Sequence, residues 1–219
     1  MAETLPLFPL GLVLFPDMLV PLHIFEPRYR LLVRRCIDKE ESFGVVLTGS
    51  ADEAGAHPGP HQVGTTARIV GAQPLPDGRS FIVVRGERRF AVESLIHDEE
   101  PYLLGRVRYL PEDEGADAHA AAAATVDAFV EYLLSVLTIT GETRGEPPGA
   151  EIRNGTPRDI AYRIAGGLAI DTAEQQRLLE TESVRERLIT EARLLDREKE
   201  LLRDLVVRRR ARGEGPVLN

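Results

Sequence analysis

The chain contains two lysines, Lys39 and Lys199, and they limit the chemistry it can carry. A phosphate-gripping lysine stands in a G-x-x-x-x-G-K-[ST] loop, where backbone N–H groups cradle the phosphates. Lys39 lies instead in DKEE and Lys199 in REKEL, so neither belongs to such a loop. A lysine that activates a serine needs a depressed pKa, whereas acidic neighbours raise it. His57 and His61 in HPGPH have a spacing that shares one face of a helix, but Pro58, Gly59 and Pro60 preclude a helix there. Only Asp52 and Glu53 could add oxygen ligands, and the segment reads as a polar loop rather than a metal site. His23 stands alone on an extended segment, in the pattern of a part-buried, hydrogen-bonded side chain. Close carboxylates (Asp38, Glu40, Glu41; Asp98, Glu99, Glu100; Glu112, Asp113, Glu114) fall in acidic runs at element ends and read as solvated. Cys36 is the single cysteine, which excludes an internal disulfide, fits a reducing compartment and reads as a small buried helix residue. There is no G-x-S-x-G elbow and no glycine-rich phosphate loop after a strand. These residues point to no enzyme, no cofactor and no metal.

The elements that would position any site begin with residues 5–37, LPLFPLGLVLFPDMLVPLHIFEPRYRLLVRRCI. Pro6, Pro9, Pro16 and Pro21 interrupt an apolar run, and a central strand does not carry prolines at this density. The pattern predicts short edge strands at Leu5–Phe8, Leu12–Phe15 and Leu19–Phe25. In the third, Leu22 and Ile24 face one way and Pro21, His23 and Phe25 the other. At Glu26-Pro27 the period becomes helical, with Pro27 in the first turn and Tyr29, Leu32, Val33 and Cys36 on one face. Phe43–Thr48 reads as a strand. Val63–Ala72 and Ser80–Leu95 read as a hairpin turned by Asp77-Gly78, with Gly86 at a bulge. Tyr102–Leu110 is the last strand. Beyond the acidic, glycine-containing PEDEGAD at 111–117 the period is helical throughout. His119–Leu137 carries the stripe Val126, Phe129, Val130, Leu133, Leu134 and Leu137, and 140–155 reads as a loop. Thr156-Pro157, Asp171 and Ser183 each cap a further helix, with Asp159, Glu174 and Glu186 three residues on. The helices begun by Thr156 and Asp171 are short and read as a compact hairpin. The last helix is long and ends in VVRRRARG, a solvated end rather than a nucleic-acid arm.

LPLFPL, then LVLFPDMLVPLHIFEPRYR, then VGTTARIVGAQPLPDGRSFIVVRGERRF at 63–90, resemble the Lon substrate-binding domain, the N-terminal domain of Lon proteases. The HIFEPRY segment is most similar to free-standing and eukaryotic-type members. The resemblance implies an α+β fold: a PUA-like small β-barrel at 1–114, then an α-helical bundle at 115–219. It also implies binding of polypeptides rather than catalysis; with no Walker A loop and no activated lysine, the expectation is a free-standing member lacking the ATPase and protease domains.

Composition is compatible with that reading. The chain of 219 residues is long enough for a sizeable core, which must be mostly aliphatic because tryptophan is absent. Net charge is −8, shared between a first half of 17 acidic and 12 basic residues (1–115) and a second of 18 and 15. Neither half is basic, so a phosphate backbone meets no general attraction. No run of eighteen apolar residues occurs and the N-terminus lacks a secretory pattern, so the expectation is a cytoplasmic chain with no membrane partner. A polypeptide-binding surface needs accessible apolar side chains, and the proline-broken edge segment supplies Phe15, Met18, Leu19, His23 and Phe25 as candidates. Expected partners are unfolded or extended polypeptide segments and a separate protease or chaperone. The alternative is RNA binding on the same barrel, through Arg85, Arg88, Arg89, Arg106 and Arg108 if their strands are neighbours.

Overall fold

A computed structural model describes residues 3–49, 60–97, 99–140 and 152–211. They form two compact units: 1–111 with 169–180, and 112–168 with 181–219.

The first unit is a small barrel. Its strands are β1 (Glu3–Leu10), β2 (Leu19–Ile24), β3 (Phe43–Leu47), β4 (Val63–Pro74), β5 (Ser80–Ile96) and β6 (Leu103–Tyr109), with helix α1 (Pro27–Lys39) between β2 and β3. The sheet order is β2-β5-β4-β3-β1-β6, and β5 also pairs with β6. That second pairing closes a circuit of five strands and leaves β2 outside it, as an edge strand on β5. β5 reaches both neighbours because it is long: Ser80–Arg85 pair with β2 and Phe90–Ile96 with β6. The hairpin between β4 and β5 turns at Asp77-Gly78, where Gly78 has φ 80°. Leu75 N–H donates to the Arg79 carbonyl and Gly78 N–H to that of Leu75, closing the turn.

β1 departs from the sequence expectation. It is not an edge strand; it lies between β3 and β6, with Leu5, Leu7 and Phe8 in the core. It changes neighbours at Leu7, pairing with β6 over Glu3–Leu7 and with β3 over Leu7–Leu10. Pro6 and Pro9 therefore each face one partner strand only, which is how a buried strand tolerates both. Residues 12–15 form no strand. They bend through the core, and the chain turns back at Asp17, whose φ is 63°.

α1 begins as its sequence indicates, with Pro27 at the first turn after an extended Glu26. Tyr29, Leu32, Val33 and Cys36 are its buried face, and the Tyr29 ring stacks on Phe8 with centroids 4.0 Å apart. Burial pushes the Cys36 thiol up to about 11, so it is an inert core residue rather than a nucleophile.

Helix α4 (Thr172–Glu180) belongs to this unit, not to the helical one as the sequence reading has it. It is capped as predicted, Asp171 accepting from Glu174 N–H at 2.8 Å. Polar side chains help attach it. Gln176 Nε2 donates to the Val63 carbonyl at 3.0 Å, and Arg89 Nη1 on β5 donates to the Leu179 carbonyl at 2.7 Å.

The second unit contains α2 (Ala118–Thr140), α3 (Pro157–Gly167) and α5 (Val184–Ala211). α3 carries the full capping box between Thr156 and Asp159. Its predicted pairing with α4 does not occur within one unit, because α3 packs on α2 and α5 instead. α2 presents Ala122, Val126, Phe129 and Tyr132 to the core, while Leu134, predicted to be buried, is exposed. Over Ala118–Ile139 this helix is long and apolar enough, by length and composition, to cross a membrane. Its alanines raise the mean hydropathy of a stretch that the search for an unbroken apolar run passes over. It also carries Glu131, which Lys199 reaches at 3.1 Å.

Candidate functional site

β2 alternates strictly between exposed and buried positions. Val20, Leu22 and Ile24 enter the barrel core, so Leu19, Pro21 and His23 point outward, as does Phe25 just beyond the strand. Antiparallel pairing with β5 sets Leu19 against Arg85, Pro21 against Val83 and His23 against Phe81. The outer face is therefore a continuous apolar strip two strands wide: Leu19 is 54% exposed, Phe25 58%, Phe81 48% and Val83 37%. His23 stacks on Phe81 with centroids 4.7 Å apart and tilts against Phe25 at 5.7 Å, so its ring extends the aromatic surface. A cleft of about 750 Å³ adjoins the Phe25 end, between His23–Glu26 and the end of β1 at Phe8–Gly11.

Backbone geometry restrains this edge. Gly86 N–H donates to the Met18 carbonyl at 3.0 Å, so backbone groups of alternate residues from Met18 onward face β5. Those of Leu19, Pro21 and His23 consequently face the free edge. Pro21 has no N–H to offer there, which breaks the ladder a foreign strand would need while its side chain stays on the apolar face. Gly86 also explains the bend before β2. A side chain on it would begin 2.1 Å from the Phe15 carbonyl oxygen, and its own carbonyl accepts from Asp17 N–H at 2.8 Å. The register shift lies beside Gly86, at Glu87 and Arg88, rather than on it.

Of the five residues singled out from the sequence, Leu19, His23 and Phe25 meet on this face. Met18 is half-buried and packs on the core. Phe15 is a correction: its side chain is fully buried in the barrel unit and no client could touch it. Phe81 and Val83 were missed, although SFIV alternates as LVPLHI does; only the pairing register shows that the two outer faces merge.

Of the arginines of the alternative reading, Arg85, Arg88, Arg106 and Arg108 are exposed and Arg89 is not. Arg89 is buried and bonded to carbonyls, Arg88 lies 3.9 Å over the Tyr109 ring, and Arg108 is 3.6 Å from Glu93. As for metal ligands, His57, Asp52 and Glu53 lie outside the described residues, and His61 Nδ1 is 3.8 Å from Glu180. Among the described residues no three His, Cys, Asp or Glu side chains are grouped to hold an ion. Lys199 sits between Asp196 at 3.0 Å and Glu131 at 3.1 Å, and hydrogen bonds to them outweigh partial burial to raise its pKa. That is the wrong direction for a lysine that must activate a nucleophile.

The family of the ATP-dependent protease La (LON) substrate-binding domain matches residues 4–197. The chain belongs to that family. A Lon protease of Desulfovibrio desulfuricans is 30% identical over 213 residues, covering 91% of this chain and 23% of its own length. That of Cytophaga hutchinsonii is 24% identical over 202 residues, covering 91% and 25%. The chain thus spans about a quarter of the length of these relatives. Two solved structures share the fold. The Lon N-terminal domain protein of Xanthomonas campestris gives a TM-score of 0.60 at 25% identity, covering 86% of this chain and 96% of that one. The N-terminal domain of the Mycobacterium avium complex Lon protease gives 0.65 at 20%, covering 89% and 98%. These Lon N-terminal domains share the α+β fold described above, and the family's name places the chain among Lon-like substrate-recognition modules.

Proposed function

We propose that this chain is a non-catalytic polypeptide-recognition module of protein quality control, which takes unfolded or extended segments along the outer face of β2 and β5 and passes them to a protease or chaperone. The observation that carries this reading is the exposed apolar strip of Leu19, Pro21, Phe25, Phe81 and Val83. Apolar side chains held out on a rigid sheet gain by covering one another with those of a client, about 25 cal/mol for each Å² removed from water. Family membership supports the same role.

The test is titration of a labelled, chemically unfolded protein with the parent chain and with Leu19→Asp and Phe25→Asp. Each substitution places a charge where client side chains must desolvate, and affinity is expected to fall by roughly tenfold or more. Both positions are more than half exposed, so the melting transition should not move. Parent binding should persist as salt rises, since nucleic-acid binding by arginines would weaken steeply through counterion release. The reading fails if folded variants bind as well as the parent, or if parent binding is lost at moderate salt.

A non-catalytic module should also leave ATP and casein intact. No ATP hydrolysis and no casein cleavage are expected from the purified chain, with or without nucleotide. Reproducible turnover would overturn the non-catalytic reading, and turnover that survives replacement of both Lys39 and Lys199 by alanine would place the catalytic site elsewhere.

A further inference from the structure

The apolar strip ends at a charge. Arg85 follows Val83 on the same outer face of β5, stands opposite Leu19, and is exposed. Among the described residues its guanidinium makes no hydrogen bond or ion pair. The carboxylates around the strip are engaged. Glu26 holds Arg28 at 2.8 Å, Arg68 holds Glu87 at 2.6 Å and Asp77 holds Arg79 at 2.6 Å. Asp17 also has a partner, and Arg30 lays its guanidinium against Gly78 at the turn. β2 itself, LVPLHI, contributes no charged side chain. An uncompensated cation therefore borders the apolar surface, on a chain whose net charge is −8.

Resting on the reading of this face as a polypeptide site, we infer that it selects extended segments whose apolar or aromatic core is followed or preceded by an acidic residue, seated on Arg85. From Leu19 to Phe25 the strip is about 20 Å long at ~3.3 Å per residue, so it accommodates a core of about six residues. A carboxylate at the Leu19 end meets Arg85 without displacing an existing partner. An ammonium at that end meets a like charge beside a surface where it cannot be fully hydrated. An exposed pair of this kind changes affinity by roughly two- to fivefold. The contribution sets choice among clients, while the apolar strip sets most of the affinity.

Three labelled peptides test this, sharing one core of Phe, Val and Leu and differing only in flanks of Asp, Gln or Lys. They are titrated at about 0.15 M salt, where a Debye length of ~8 Å screens the overall charge but not a contact pair. On the parent, the Asp-flanked peptide is expected to bind two- to fivefold more tightly than the Gln-flanked one, and the Lys-flanked one most weakly. Arg85→Gln should erase the order and Arg85→Glu reverse it, with melting unchanged because the side chain is exposed. Net charge alone predicts the opposite order, so the sign is decisive. The inference is overturned if the Lys-flanked peptide binds the parent as well as the Asp-flanked one, or if the order survives Arg85→Glu. Equal binding of all three removes the charge preference and leaves the polypeptide reading standing. Binding by none removes it too, and that reading then stands or falls by the unfolded-protein titration.

Discussion

Replacing Arg89 with alanine is expected to destabilise the barrel unit by about 3–5 kcal/mol, as much as truncating a large core side chain. The side chain is 1% exposed, and its guanidinium donates to the carbonyls of Leu179, at 2.7 Å, and Pro111, at 3.2 Å. Alanine leaves the buried Leu179 carbonyl without that donor and opens a cavity at a position where the chain otherwise fills space with a long stem. Urea unfolding followed by circular dichroism measures the loss. Amide exchange adds a local readout: α4 should open first, since Leu179 lies in its last turn and loses the Arg89 donor that holds it to β5. Arg89→Lys should recover only part of the stability, because a single ammonium does not reproduce a planar fork reaching two carbonyls. A fully stable Arg89→Ala variant would show that Arg89 does not hold α4 to the barrel.

Arg89 also marks where sequence reading stops. It stands in RGERRF, where three arginines look alike, and the residue that distinguishes it is ninety positions away on α4. The same blindness explains the assignment of α4 to the helical half: its cap at Asp171 is local and legible, but its partners Val63 and Arg89 are not. Local signals served well wherever a structure is built from neighbours. Pro27 at the first turn of α1, the turn at Asp77-Gly78, the capping box at Thr156 and the alternation of β2 all depend on residues a few positions apart. β1 failed the same logic, since its prolines are tolerated by a change of neighbours at Leu7 that pairing alone determines. The candidate site was half legible. LVPLHI shows its outward face from its own period, whereas Phe81, Val83 and Arg85 join it only through the register with β5. Phe15 was misplaced because residues 12–15 look like a strand and instead form a bend held by the backbone of Gly86.

The buried charges of the helical unit went unseen for a related reason: a charged residue on a helix is read as solvated until tertiary packing closes over it. Arg187 and Glu191, one turn apart on α5, are both fully buried. Arg187 is well surrounded. Its guanidinium lies 4.4 Å over the Tyr162 ring and 3.9 Å from the Glu112 carboxylate, and it donates to the Thr181 carbonyl. Tyr162 in turn donates to Glu112 at 2.6 Å.

Glu191 has no such shell, and pH should therefore tune the stability of this unit. Neither of its carboxyl oxygens has a hydrogen-bond partner among the described residues. Burial drives its pKa well above the ordinary carboxylate value, and the nearby Arg187 only partly opposes the shift. In the unfolded chain the group ionises at its ordinary value of about 4.3, while in the folded unit it keeps its proton to higher pH. Over that interval the unfolded state binds fewer protons than the folded one, so stability falls as pH rises, by up to ~1.4 kcal/mol per unit. The loss ends where the folded group finally ionises. Asp159 acts in the opposite sense: its hydrogen bonds with Thr156 and Arg158 outweigh partial burial and lower its pKa, so its contribution is present above the ordinary value and lost in acid. Subtracting parent from variant isolates Glu191 from Asp159. Glu191→Gln, which keeps the shape and removes the titration, is expected to match the parent near pH 4 and to exceed it increasingly through neutral pH. The measurement is urea unfolding of the full chain at several pH values, with helix content as the signal. A variant-minus-parent difference that stays flat from pH 4 to 8 would mean that Glu191 is ionised in the folded unit throughout, held by Arg187 as an ion pair.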